Sequence, residues 1–175
     1  MRHLTFKTKS LIAAAVLALV SAGLFAADAD FGAQGAEGKT GLSLEQMLTY
    51  AIQDEYLARA EYEAIMARYG AIRPFSSLIR AEEQHIAWLE PLFPRYGLQP
   101  PVDTSASHVV LPADLKQAFE TGVQAEIDNI AMYEAFLGGA AAQPLPEDVR
   151  ETFERLKAAS ENHLQAFRNN LARYN

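Results

Sequence analysis

Four stretches of this chain keep apolar residues at helical spacing, the first three closed by glycine or proline, and none alternates apolar and polar residues as a strand would. The first opens at Ser43, whose hydroxyl and Gln46 three residues on have the capping-box spacing, and runs through Met47, Ala51, Ala58, Tyr62, Ile65 and Tyr69 to Gly70. The second begins at Pro74, carries Phe75, Leu78, Ile79, Ile86 and Leu89, and must kink or fray at Pro91 and Pro94. The third starts near Pro112, repeats Leu115, Phe119, Val123, Ile130, Tyr133 and Leu137, and stops at Gly138 and Gly139. The fourth follows the Gln143-Pro144-Leu145-Pro146 turn and keeps Val149, Phe153, Leu156, Phe167 and Leu171 in phase. At about 22 to 28 residues each, these helices would be roughly 33 to 42 Å long. Residues 97–111 hold two prolines and no period, a crossover loop long enough to join helices that lie parallel. The expectation is an all-α chain with four helices in one bundle.

The chain start is different. Arg2, His3, Lys7 and Lys9 precede an apolar run from Leu11 to Phe25, then small residues with an Ala27-Asp28-Ala29 pattern, the layout of a secretory signal peptide. The run is shorter than the 18 or so apolar residues that span a bilayer, so cleavage within residues 26–29 is expected rather than a membrane anchor. The expected organisation is a signal peptide over 1–28, a flexible glycine-rich lead over 29–42, and a four-helix bundle over 43–175. Export to the periplasm or the medium agrees with a sequence that has no cysteine. Loss of Arg2, Lys7 and Lys9 takes the formal charge from −7 to −10, or to −9 if Asp28 leaves too. So acidic a surface excludes nucleic acid, and after cleavage anionic membrane, as partners.

The informative question is which polar residues share the phase of the apolar stripes, because a carboxylate in a dry core costs several kcal/mol unless something compensates it. In the first helix Glu55 falls between Ala51 and Ala58. In the second, Glu82 and His85 lie on the inward face three residues apart, the Glu-x-x-His pair of carboxylate-bridged metal bundles. Glu126, with Asn129 one turn later, comes inward on the third helix, and Ser160 and His163 on the fourth. Three carboxylates and two imidazoles suit iron or manganese, and a bridging glutamate can hold two ions near a shared substrate such as O2 or peroxide.

Asp54-Glu55-Tyr56-Leu57-Ala58-Arg59, Ala81-Glu82-Glu83-Gln84-His85 with Arg95-Tyr96-Gly97-Leu98, Gly122-Val123-Gln124-Ala125-Glu126 and Asn162-His163-Leu164-Gln165-Ala166-Phe167 together carry a resemblance. Over residues from about 44 to 173 the chain resembles the ferritin-like superfamily. It is most similar to a family of small prokaryotic ferritin-like proteins known only as a domain of unknown function, and more distantly similar to rubrerythrin-like proteins. The resemblance implies a ferritin-like four-helix bundle with a long crossover between its second and third helices, and Glu55, Glu82, His85, Glu126 and His163 as ligands to one or two iron or manganese ions. Rubrerythrin-like sites have a second Glu-x-x-His, but here Ser160 precedes His163 by three, and Glu161 points about 160° away around the helix. Asn129 likewise stands where relatives carry an acid, and a neutral amide is a weaker ligand.

Other readings remain open at this point. A single histidine in the core phase is ordinarily a hydrogen-bonded core residue; two beside three glutamates are not. Rotating each helix by some 40° would turn Glu55, Glu82 and Glu126 to the rim. Glu83, Asp128, Glu134, Glu154 and Glu161 fall on solvated faces, Tyr62 and Tyr133 read first as core, and His108 takes no role. The functional expectation is an exported metalloprotein reacting with peroxide or oxygen as a peroxidase- or ferroxidase-like oxidoreductase, possible as a homo-oligomer. Alternatives are a metal-holding or stress-related bundle without turnover, and a metal-free interaction module. With no cysteine to hold a rubredoxin-type iron, an electron donor would be a separate molecule.

Overall fold

The computed structural model describes residues 30–174, all helix, turn and loop, with no strand among them. The expected signal peptide and its cleavage point lie outside the described residues. Among those described, no helix is long and apolar enough to cross a membrane.

The short α1 (Gly32–Ala36) comes first, then α2 (Leu44–Tyr69), α3 (Phe75–Leu89), α4 (Leu92–Arg95), α5 (Leu115–Ala135) and α6 (Glu147–Leu171). Helix α2 starts as its sequence demands. Ser43 Oγ accepts from the Gln46 backbone N–H at 3.2 Å, and the Gln46 side chain accepts from the Ser43 N–H at 2.9 Å. It stops at Gly70, where φ of 88° is open to glycine and strained for other residues. Helix α3 is 15 residues long, shorter than expected, because Pro91 ends it and the chain turns again through α4. Helix α5 begins three residues beyond Pro112, where the Asp114 carboxylate accepts from the Gln117 N–H at 2.8 Å. Rather than ending at Gly138, the chain winds through one wide turn over Phe136–Ala140, closing on Gly139 at φ 125°.

Helix order in space follows from cross-helix contacts. Between α2 and α5, Glu55 meets Tyr133, Tyr62 meets Glu126, and Tyr69 meets the carbonyl of Pro112, so the two run antiparallel. Since α2 and α3 form a hairpin through a five-residue turn, α3 and α5 are parallel, and the 97–111 segment is the crossover that joins these two parallel helices. Arg59 of α2 pins that crossover by its ion pair with Asp103 at 2.7 Å. The core has two parts. Tyr133, Phe136, Phe153 and Leu156 centre one end, and Tyr62, Phe75, Phe119 and Phe167 the other. The polar cluster lies between them.

The lead from 31 to 42 is not the flexible segment its composition suggests. Phe31, Ala33, Ala36 and Leu42 are buried, Leu42 N–H donates to the carbonyl of Ala140, and the Ala33 N–H donates to Asp54 Oδ1 at 2.8 Å. Alanines and glycines without a period still pack where a helix end offers hydrogen-bond partners.

Gly122 of α5 makes room for a side chain of α6: a Cβ there would stand 2.7 Å from the Phe167 ring, itself fully buried against Phe75 and Tyr62. Gly122→Ala is expected to destabilise the fold by about 1–2 kcal/mol, because overpacking of about 1–3 kcal/mol exceeds the helix-propensity gain of roughly 1 kcal/mol. Urea denaturation of the metal-free protein measures it, and a variant at least as stable as the wild type would show that Phe167 has room to move.

Candidate metal centre

Glu55, Glu82, His85, Glu126 and His163 are all at most 6% exposed, and their side chains meet in one cluster contributed by α2, α3, α5 and α6. Glu82 stands at its middle. Its Oε2 lies 2.9 Å from His85 Nδ1, which is also 3.0 Å from Glu55 Oε2. Its Oε1 faces the other way, 3.3 Å from His163 Nδ1, which is 3.4 Å from Glu126 Oε1. One carboxylate thus belongs to two triads, Glu55–Glu82–His85 and Glu82–Glu126–His163, each with ligand atoms within 4.8 Å of one another. The two imidazoles face each other with ring centroids 5.5 Å apart.

Glu82 Oε1 is fully buried yet has no hydrogen bond of good geometry. Buried carboxylate oxygens are rarely left so, and a bound cation is one of the few groups that satisfies them. The donor set also fits such an ion chemically, since both imidazoles turn the same nitrogen toward hard oxygen donors.

Outside each triad a tyrosine completes the carboxylate. Tyr133 OH donates to Glu55 Oε1 at 3.0 Å and Tyr62 OH to Glu126 Oε1 at 3.1 Å. Both rings are core residues, as their phase implies, and their hydroxyls additionally fix the outer carboxylates. Burial and the neighbouring carboxylates hold both phenols far above their ordinary range. Tyr62→Phe is expected to free Glu126 Oε1 and weaken metal retention about 10-fold, the usual scale for losing a partner that orients a ligand, with little effect on the fold. Competition with a chelator measures the affinity, and a variant that holds metal as tightly as the wild type refutes the orienting role.

Electrostatics divide the five groups. Burial alone would lower the imidazoles, but hydrogen bonds to Glu55 and Glu82 raise His85 to about 9, and close contact with the Glu126 and Glu82 carboxylates raises His163 to about 10. Burial also pushes Glu55 and Glu126 upward. For Glu82 burial acts upward too, yet the close His163 and His85 imidazoles reverse it and hold this carboxyl well below its ordinary value. Without metal, protons balance the charges.

Ser160 and Asn129 do not line up as ligands. Ser160 Oγ donates to Asn129 Oδ1 at 2.6 Å, and Asn129 in turn donates to Asp54, whose other oxygen takes the Ala33 N–H. This chain of bonds runs from α6 through α5 and α2 to α1, and it accounts for two polar residues whose neutrality otherwise makes the site look incomplete. Burial raises Asp54 to about 6. Glu61 on α2 is raised to about 7, by burial and then by the Asp54 charge. Glu161 is solvent-facing, beside Lys157. His108 stacks on Phe31 with centroids 4.0 Å apart, away from the cluster. Trp88, the only tryptophan, lies 5.3 Å from the His85 ring on one side and under the Arg155 guanidinium on the other.

Fold and site together define a class: helical bundles with a buried carboxylate–imidazole cluster shared by four helices. The chain belongs to the family described as an uncharacterized protein domain (DUF2202), whose model matches residues 45–174. Its fold is similar to the crystal structure of hypothetical protein MJ0754 from Methanococcus jannaschii DSM 2661, with a TM-score of 0.64 and 23% identity over 78% of this chain and 85% of that one. No curated protein matches the sequence.

Proposed function

We propose that the chain is an exported ferritin-like metalloprotein that holds two iron ions, or manganese in their place, in a carboxylate-bridged centre and reacts with peroxide or O2. One observation carries this reading: Glu82 turns its two oxygens to two separate Glu–His triads, the disposition of a bridging ligand. In the assignment, Glu82 bridges, Glu55 and Glu126 are outer carboxylates, and His85 and His163 are terminal ligands. The parallel α3–α5 crossover supports the ferritin-like assignment, and the cationic and apolar start of the sequence supports export. Iron held there supplies one-electron chemistry toward oxygen species. The protein's own part is to supply negative charge, keep the site among buried side chains, and orient the outer carboxylates through Tyr62 and Tyr133.

Five ligands for two ions leave each half only two carboxylates, one of them the shared Glu82, and beside His163 the residues Asn129 and Ser160 are committed to each other. That sparse supply favours a second reading, in which the bundle holds metal without turnover.

Anaerobic titration of chelated protein with Fe(II) or Co(II) separates these readings. Two equivalents are expected to bind and to quench Trp88 emission, and a Glu55→Ala, His163→Ala double variant is expected to bind neither. Retention no greater than in that variant, by elemental analysis, would leave a metal-free interaction module. After Fe(II) loading, repeated consumption of peroxide or O2 with an added reductant marks the oxidoreductase; one stoichiometric oxidation and no more marks the holding bundle.

A further inference from the structure

The two halves of the cluster are not equally reached from outside. A cavity of about 40 Å³, room for a few waters, touches all three residues of the Glu82–Glu126–His163 triad, and Glu55 of the other, but not His85. Its outer wall is the seam between α2 and α5, formed by Leu57, Glu61 and Ala125 together with Asp54. Those same four residues line a larger surface pocket of about 300 Å³. The crossover loop and the Phe31–His108 stack roof that pocket, and Gln124 and Asp128 of α5 flank it. Glu82 Oε1, fully buried and without a hydrogen bond of good geometry, belongs to the triad on the cavity side.

We infer that the α2–α5 seam is the route by which divalent cations enter the centre, with Glu61 as the carboxylate that receives them and the Glu82–Glu126–His163 half as the first to be filled. This rests on the metal-binding reading above. Asp54 has both oxygens committed, to Ala33 and Asn129, whereas among the described residues Glu61 has no hydrogen-bonding or ionic partner. Small side chains lie along the seam: Ala125 stands where α5 borders both cavities, and Ala58 lines the inner one. A cation passing Glu61 next meets Glu126 and the Oε1 of Glu82, which lacks a hydrogen bond. Glu55 borders the same cavity, but His85 does not, so the second ion completes its ligand set only beyond the first half.

Stopped-flow uptake of Co(II) by the chelated full chain, followed by visible absorbance, tests the route. Ala125→Phe places a ring in the seam from a solvent-facing position of α5, so that the core need not repack. It is expected to slow uptake at least 10-fold while the final stoichiometry stays at that of the wild type. At pH 8, where Glu61 is ionised, Glu61→Gln is expected to slow uptake about 3-fold at low salt and to flatten its salt dependence, as loss of a steering charge does. Glu83→Gln on the exposed face of α3 removes the same charge and should leave the rate unchanged. Should Ala125→Phe fail to fold, Leu57→Trp fills the same seam from α2. Wild-type uptake rates in the filled variant, or equal slowing by Glu61→Gln and Glu83→Gln, would overturn the route while leaving the centre intact. If the wild type takes up no Co(II), the centre itself falls and the route with it.

Discussion

Glu82→Gln is expected to abolish metal retention at both halves of the centre, whereas Glu126→Gln and Glu55→Gln each remove it from one. The difference follows from the geometry of a single side chain. Glu82 Oε2 serves the His85 triad and Oε1 the His163 triad, so replacing one oxygen by an amide NH2 turns a donor into a hydrogen-bond donor in one triad and leaves a neutral, weaker oxygen in the other. A fall in affinity of at least 10³ is expected on both sides, beyond the 10- to 100-fold typical of residues that only orient ligands. The same change removes the carboxylate that both imidazoles face, and breaking a buried ion pair costs about 3–5 kcal/mol. Circular dichroism must therefore accompany the metal analysis. A folded Glu82→Gln protein that still retains one tightly held ion after dialysis against chelator would show that the halves are independent sites and that Glu82 bridges nothing.

Helix boundaries were legible where local chemistry decides them. The Ser43–Gln46 capping box and Gly70 bracket α2 in the sequence as in the structure, and Pro146 sets the start of α6. The five inward residues were legible for a different reason: a 3.6-residue period fixes side-chain direction closely enough that Glu55, Glu82, His85, Glu126 and His163, all in phase with their stripes, must converge if the helices pack at all. Less was visible where position depends on a partner. Asp54 sits beside Glu55 at the edge of the stripe, and only the juxtaposition of α1 and α5 shows that it anchors both. Glu61 carries no phase signal; its burial comes from the crossover loop and α1 folding over the seam. The lead failed as a flexible segment for the same reason. Its order comes from Asp54 and the Ala140 carbonyl, distant in sequence, rather than from any pattern of its own.

Metal-free protein is expected to lose thermal stability as pH rises from about 6 toward 10, and bound metal to remove most of that loss. The sign follows group by group. His85 and His163 rise in the fold to about 9 and about 10 from an ordinary 6.5, so the stabilisation from their protonated rings is complete below 6.5 and disappears as pH climbs through those values. Asp54, raised to about 6, acts in the same direction at lower pH, and the raised carboxyls of Glu55 and Glu126 add to it, because each must ionise in a place that favours its neutral form. Glu82 is opposed. Its depressed carboxyl stabilises the fold above the ordinary carboxylate range, and that contribution is lost only in strong acid, outside the window. Between pH 6 and 9 the imidazoles therefore dominate, and a melting temperature lower by about 5–10 °C at pH 9 than at pH 6 is expected in chelator, from a loss of about 2–3 kcal/mol. A cation reverses the trend because it takes the place of the protons: its ligands must be deprotonated, its affinity grows with pH, and binding to the folded state alone adds stability as that affinity grows. The gap between loaded and chelated melting temperatures should therefore widen steadily from pH 6 to pH 9. A chelated protein that melts at the same temperature across this range would mean that neutral histidines sit in an ordinary hydrogen-bonded core, with no charge there for a metal to replace.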